Sequence, residues 1–391
     1  MRPIACLSPS RIAEEFDNCL RQGSGKLQVR CALDLQIRSV AGDVYLRSPR
    51  EARSFGSGTL RDSNLMAFLS ELDQWTPVEK ATERIAALTG TSEAGARSEI
   101  DRLISATILV SDESDEQEIL FDGKELWDRY GWADAFVYHA STDAIPRIDY
   151  SHQDGQRQDV ALMREYSSIE VPPAVYMPAV SQEVTKLPDP GRELKVSVST
   201  ALDEALESHR TGAALDVATL SRILWFGFGQ TGTKKLPVTG EHITKTSPSG
   251  GSRHPTEAYV LALNVADLAS GVYHYGVKNH ELELIRENLD EDWVAASIVG
   301  VPRWRIAAPA AVILLTTRVH ASMYRYHESN SYRVLHYDAG HVLETASLVS
   351  RTLGLTTFRA FSMNEEAVTA MLGNDRLMNP AMSFMAIGWE D

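Results

Sequence analysis

The stretch SMYRYHESNSYRVLHYDAGH, residues 322–341, concentrates Tyr324, Arg325, Tyr326, Tyr332, His336 and Tyr337. A guanidinium beside a phenol favours the phenolate and so lowers the phenol's pKa. A phenolate formed near neutral pH is a usable general base. Arg325 and Tyr326 have the residue types for that chemistry; the same stretch also fits a partly buried aromatic sheet edge. Asp338 reads as the N-cap of the helix that follows, and His341 as a packed helical residue.

A second stretch, SPSGGSRHP (residues 247–255), joins two glycines to one cation. Glycine lets a backbone approach a flat or anionic ligand without a Cβ clash. Successive N–H groups in such a turn form a concave donor surface, and Arg253 adds a charge. The stretch precedes a strand and lacks a G-K-[ST] ending, so it is not a phosphate loop. It suits either the edge of a planar heteroaromatic group, such as a flavin, or an ordinary turn. A third stretch, ESHRTGA (residues 207–213), sets His209, Arg210 and Thr211 at a helix end. A cation with a hydroxyl can hold a phosphate; the same residues fit C-terminal helix capping. One apparent motif is discarded. GFGQTG (residues 227–232) spells G-x-G-x-x-G, but it follows a helix, whereas a dinucleotide site needs a strand before it. Helix termination is the expected role.

The elements that must position these residues follow from periodicity. LQVRCALDLQIRSVAGDVYLRS alternates apolar and polar residues and reads as hairpin strands. Leu65, Phe68, Leu69 and Leu72 share one helical face, as do Val78, Ala81, Ile85 and Leu88 after Pro77, with Gly90 as the stop. Ile100, Leu103 and Ile104 mark a third helix, running into the strand ATILVS. Three helices and a strand pair are the layout of a winged helix. WDRYGWADAFVYHAS reads as an aromatic helix packed on another domain. VPPAVYMPAVSQEVTKLPDPG, with its prolines, reads as an extended linker. Three regions are therefore expected: 1–118 winged-helix-like, 119–190 connecting, and 191–391 carrying alternating helices and strands. In the last region, EAYVLALNV, AAVILLTT and MSFMAIG are strands, GVYHYGVKNHELELI is a hairpin, and DAGHVLETASLVSRTLGL is a long helix.

The net charge of −15 opposes nucleic-acid binding unless a basic face is segregated. The third helix carries Glu93, Glu99 and Asp101 against Arg97 and Arg102, which is not a phosphate-binding face. No eighteen-residue apolar run occurs, so no membrane span is expected. The first residues show no secretory layout, and a cytoplasmic location is the expectation. Cys6, Cys19 and Cys31 fit no zinc or redox spacing and read as partly or fully buried thiols.

TSPSGGSRHPTEAYVLALNV, GVYHY and HELELI, with LSRILWFGFGQ, YDAGHVLETASLVSRTLGL and EEAVTAMLG, together resemble the SagB-type azoline dehydrogenases, flavin enzymes of the nitroreductase superfamily. The resemblance is strongest over residues 215–375. It implies an α+β, nitroreductase-like FMN fold at the C-terminus, a homodimer with FMN at the interface, and a winged-helix-like N-terminal domain. It implies that Pro248, Ser249, Gly250, Gly251 and Ser252 lie along the flavin ring, and that His209, Arg210 and Thr211 contact the phosphate. A Gly-Ala-Phe near the flavin corresponds to Arg359, Ala360 and Phe361. The implied reaction oxidises a thiazoline or oxazoline in a ribosomally made precursor peptide to the azole, beside a cyclodehydratase partner. Its base is a Lys-Tyr pair, matched here by Arg325 and Tyr326. Arginine stays protonated and cannot be a base. That leaves two expectations open: Tyr326 is the base with Arg325 tuning it, or the chain catalyses another two-electron peptide oxidation, such as backbone N–Cα dehydrogenation.

Overall fold

The computed structural model describes residues 27–32, 35–40, 43–47, 55–56, 62–113, 124–143, 145, 148–149, 151–194, 196–202, 213–298 and 309–389. The chain divides into two compact units, 1–146 and 147–391.

The first unit runs β1 (Gln28–Cys31), β2 (Gln36–Val40), β3 (Asp43–Arg47), β4 (Phe55–Gly56), α1 (Asp62–Ser70), β5 (Thr76–Pro77), α2 (Val78–Thr89), α3 (Glu93–Ser105), β6 (Leu109–Ser111) and α4 (Ala133–Asp143). Strand β1 pairs antiparallel with β5 and β6, and β2–β3–β4 form a second small sheet. Local chemistry sets the helix ends. Pro77 precedes α2, where a missing N–H costs nothing. Gly90 closes the helix at φ 68, its N–H returning to the Ala86 carbonyl. Ser92 caps α3, accepting from the Gly95 N–H at 3.3 Å. Leu65, Phe68, Val78, Ile85, Ile100 and Leu103 meet in one core. The observed order is helix, strand, helix, helix, strand; residues 114–123, where the wing of a winged helix would follow, lie outside the described ones. The aromatic segment packs on itself: Trp127 makes edge contacts with Trp132 and Phe136 and stacks on His139 at 5.6 Å. Cys31 is a partly buried free thiol whose pKa burial pushes up to about 11; Cys6 and Cys19 lie outside the described residues.

The second unit runs α5 (Gln153–Ile169), β7 (Val184–Lys186), α6 (Val198–Leu202), β8 (Leu215–Asp216), α7 (Val217–Phe228), β9 (Gly232–Leu236), β10 (Gly240–Thr244), β11 (Thr256–Ala262), β12 (Val265–Ala266), β13 (Gly271–Gly276), β14 (Glu281–Glu287), α8 (Glu291–Ser297), β15 (Ala311–Thr317), α9 (Val319–Met323), α10 (Tyr332–Thr352), β16 (Thr356–Ala360), α11 (Glu365–Leu372) and β17 (Ala381–Gly388). Its main sheet has the order β16-β17-β15-β11-β13-β14-β7, antiparallel throughout. Every residue of β11 and β15 is buried, because helices cover both faces. Val260, Ile313 and Leu315 pack with Ile223 and Leu224 of α7 and Val342 and Ala346 of α10. Tyr259, Leu261, Val312 and Leu314 pack with Val294 of α8 and Val368 and Leu372 of α11. Two-sided burial explains why these strands read as continuous apolar runs rather than alternating ones. Each such side chain contributes about 1.5–3 kcal/mol.

Helix α7 lies close on α10: a Cβ on Gly227 would stand 2.9 Å from Ala346 Cβ. The rest of GFGQTG ends the helix, as expected. Gly229 follows Phe228, and a Cβ there would sit 2.5 Å from the Trp225 carbonyl oxygen. The Pro-rich stretch expected as a linker belongs to the second unit instead. Its proline-free segment 184–186 keeps its N–H donors and pairs with β14 as the sheet's edge strand.

Candidate functional site

The SPSGGSRHP loop connects β10 to β11 and is tied to α10. Asp338 is not a helix N-cap: α10 begins at Tyr332, so Asp338 lies well inside it, facing the loop and 3% exposed. Its carboxylate accepts the Ser249 hydroxyl at 2.6 Å and the Gly250 N–H at 3.2 Å. Burial raises its pKa, with those two bonds opposing. The Ser247 hydroxyl donates to the His341 carbonyl at 3.2 Å and lies 2.6 Å from the Thr345 hydroxyl. The loop then folds on itself. Ser252 N–H donates to the Ser249 carbonyl, Arg253 N–H to the Gly250 carbonyl, and His254 N–H to the Ser249 hydroxyl. The expected outward row of donors is thus largely spent inside the loop. Gly251, Ser252 and His254 adopt φ of 56, 54 and 45, a conformation that costs little only for glycine.

The glycines are needed for packing against side chains of the same unit. A Cβ on Gly250 would stand 2.4 Å from Val334 Cγ1, and one on Gly251 would stand 2.5 Å from the Tyr326 hydroxyl. The structure therefore brings two separately predicted features together, the glycine loop and Tyr326. The Arg325 guanidinium lies 4.9 Å from the centre of the Tyr326 ring and is hydrogen-bonded to Asp159 of α5. The expected lowering of the phenol pKa is not the net effect. Burial raises it above the ordinary value, outweighing the pull of Arg325 and Arg253. Beside them is a cavity of about 260 Å³ walled by Asp159, Met163, Lys234, Ser252, Arg253 and Arg325, among others.

A second cavity, of about 370 Å³, is lined by residues 174–179, by Lys245 just before the loop and His254 within it, and by Glu257, His274 and Glu283. Here four charged or titratable side chains, Glu257, His274, Glu283 and Arg318, are joined in one network. Arg318 reaches the Ala174 and Val175 carbonyls at 2.9 and 3.0 Å and pairs with Glu257 at 2.8 Å. His274 lies between Glu257 at 3.4 Å and Glu283 at 3.1 Å, and Glu283 accepts the Val180 N–H at 2.8 Å. Burial opposes the charge on His274, yet the two carboxylates hold its pKa above normal. Burial would raise the Glu257 pKa, but His274 and Arg318 hold it down. Burial brings Lys245 down to about 8 and, with Lys245 adding repulsion, His254 to about 3.

Other expected site residues fall elsewhere. His209, Arg210 and Thr211 lie outside the described residues. Arg359 and Ala360 form part of the edge strand β16; Arg359 is paired with Glu344 of α10, one residue before the Thr345 that meets Ser247. Asp338 as the loop's anchor, Asp159 as the partner of Arg325, and the Arg318–Glu257–His274–Glu283 network were not anticipated. Only Lys245, adjoining the loop, had a local sequence signal.

The nitroreductase family model matches residues 211–389. The trifolitoxin-processing protein TfxB of Rhizobium leguminosarum bv. trifolii is 32% identical over 263 residues, 65% of this chain and 69% of that protein. The trifolitoxin operon protein TfxC of the same organism is 25% identical over 343 residues, 84% of this chain and 90% of that protein. The solved microcin synthetase McbBCD complex of E. coli, with truncated pro-MccB17 bound, aligns at 16% identity and TM-score 0.40, over 60% of this chain and 94% of that one. The family match and the trifolitoxin-processing relative agree with the resemblance to SagB-type enzymes drawn from the loop and the α10 sequence. This chain belongs to the nitroreductase family.

Proposed function

We propose that the chain is an FMN-dependent dehydrogenase that oxidises a ribosomally synthesised precursor peptide, with azoline-to-azole conversion as the leading reaction. The observation that carries this reading is the placing of the Tyr326 hydroxyl where a Cβ on Gly251 would stand 2.5 Å away, beside a cation-rich cavity. The residues present fit an FMN: Arg253 is 9% exposed with its Nε buried and unpartnered, as suits a group carrying anionic oxygens. Pro248 to Ser252 would lie along the ring, His209, Arg210 and Thr211 would serve the phosphate, and Arg359 and Ala360 would flank it. When bound, FMN supplies the acceptor for a hydride.

The chain's own residues handle the proton. Azole formation removes a proton from the ring Cα and a hydride from the neighbouring carbon. Tyr326 is the group to take the proton, and it can do so only as phenolate. Arg325 cannot take it, but it holds positive charge against the phenol ring. Because burial keeps the Tyr326 pKa raised, the active fraction is small at neutral pH and grows with pH towards and beyond 10. Likeness to a trifolitoxin-processing protein and to a second protein of the trifolitoxin operon supports a processing role beside other proteins; we take a cyclodehydratase as one of those partners. We take the first unit as a winged-helix-like module for holding the precursor, and the enzyme as a cytoplasmic homodimer.

The first experiment is the visible spectrum of the purified protein, followed by anaerobic mixing with candidate precursor peptides. Flavin bands that bleach on peptide addition, and a Tyr326→Phe variant at least 100-fold slower in bleaching, are the expected results. A protein that stays colourless after soaking with FMN sinks the reading. The tie between Arg325 and Asp159 favours one rival, a non-catalytic scaffold of the complex; under it, Tyr326→Phe matures product as well as wild type.

A further inference from the structure

We propose that the cavity around Arg253 is a binding site for an oxyanion, a carboxylate or a phosphate group brought by a ligand. Its wall holds three cations, Lys234, Arg253 and Arg325, against one carboxylate, Asp159. Asp159 is committed to Arg325. Asp338, behind the loop, is committed to Ser249 and Gly250. Among the described residues no ion pair reaches Arg253, and its buried Nε has no acceptor. A guanidinium withdrawn from water without a counter-charge is a costly arrangement. The neighbouring phenol does not supply the charge, since Tyr326 stays protonated at neutral pH. Nor do the N–H groups of Gly250, Ser252, Arg253 and His254 compete for a ligand, because they close on Asp338, Ser249 and Gly250. The planar fork of Arg253 is shaped for two oxygens of one oxyanion. The Ser252 hydroxyl shares its wall, and the exposed Lys234 adds charge at the mouth.

Two sources carry this chemistry: the phosphate of a nucleotide-like cofactor and a carboxylate of the peptide. The cofactor arm of the test rests on the functional reading above; the free-ion arm does not. Full-length wild type, Arg253→Gln and Arg253→Lys are titrated with inorganic phosphate and with acetate, with thermal unfolding as the readout. FMN and riboflavin are titrated in parallel by flavin fluorescence. Both ions stabilise wild type, and Arg253→Gln weakens that response about tenfold, the size of one charge-assisted bond, while Arg253→Lys keeps part of it. If the preference for FMN over riboflavin also falls about tenfold in Arg253→Gln, the site takes the cofactor phosphate. If that preference is unchanged while the ion response is lost, the site takes a peptide carboxylate. Equal ion responses and equal flavin preferences in wild type and Arg253→Gln overturn the proposal. If neither flavin binds wild type, the functional reading fails and the ion titrations still decide this site. Should Arg253→Gln not fold, Asp159→Asn replaces it: removing the one carboxylate strengthens the phosphate response several-fold, and an unchanged response overturns the proposal.

Discussion

A Cβ placed on Gly251 tests whether loop and phenol are one packed unit. The backbone there is left-handed, at φ 56, which costs an alanine about 1–2 kcal/mol. The added carbon also falls 2.5 Å from the Tyr326 hydroxyl, about 0.9 Å short of ordinary contact, and such overpacking costs about 1–3 kcal/mol. Gly251→Ala should therefore lose about 2–5 kcal/mol from the two effects together. Gly354 separates them. Its φ is 79 and nothing lies within 4 Å of its Cβ position, so Gly354→Ala carries the backbone cost alone. Deleting the hydroxyl should relieve the clash, because the next ring atoms stand at 3.2 and 3.3 Å, where a few tenths of an ångström suffice. In the double variant Gly251→Ala/Tyr326→Phe, stability should return to about the level of Gly354→Ala. The assay is thermal unfolding of flavin-free chains, where each kcal/mol moves the midpoint by about 2–4 °C. Additive effects of Gly251→Ala and Tyr326→Phe, with no recovery in the pair, would refute the packing argument.

Two further expectations concern the second cavity. His254, held down to about 3 against an ordinary 6.5, favours its neutral form in the folded state. Its contribution is complete above about pH 6.5 and is lost as pH falls towards 3; unfolding midpoints measured across that range should fall less in His254→Gln than in wild type. Arg318→Met removes the donors to the Ala174 and Val175 carbonyls and the partner of buried Glu257. It should cost about 3–5 kcal/mol and speed proteolytic cutting within residues 171–183, and unchanged cutting would show that these residues are held by other contacts.

What the sequence disclosed depended on how local each cause is. Strands β11, β15 and β17 announce themselves as apolar runs, and Gly90 and Ser92 mark helix ends, because capping involves neighbours a few residues away. The boundary at 190 was misleading, since proline density reports on local donors and says nothing of the three proline-free residues that complete a sheet. Asp338 was misassigned for a related reason. An acidic residue before an apolar helical run looks like a cap, and its true partners stand 88 and 89 residues away. The pairing of Tyr326 with Gly251 was legible only as two separate candidates. Adjacent sequence likewise suggested that Arg325 would lower the phenol's pKa; it could not show that Asp159, from a helix 166 residues earlier, offsets that charge while burial acts the other way.

The loop's glycines give the site its asymmetry. Residues 245 and 254 line one cavity and residues 249 and 251–253 the other, so one short segment is the wall between them. The two sides differ in charge balance. Under residues 174–179, Arg318, Glu257, His274 and Glu283 answer one another. On the Arg253 side, three cations face one carboxylate, and the nearby phenol is kept neutral by burial. An anionic ligand there would end the imbalance, but it would also offset the positive charge that lowers the Tyr326 pKa. Binding should then leave the phenol a weaker acid until the ligand's own charge is drawn away from Arg253. Burial and the Arg253 charge thus pull the Tyr326 pKa in opposite directions, and removing that charge should raise it further.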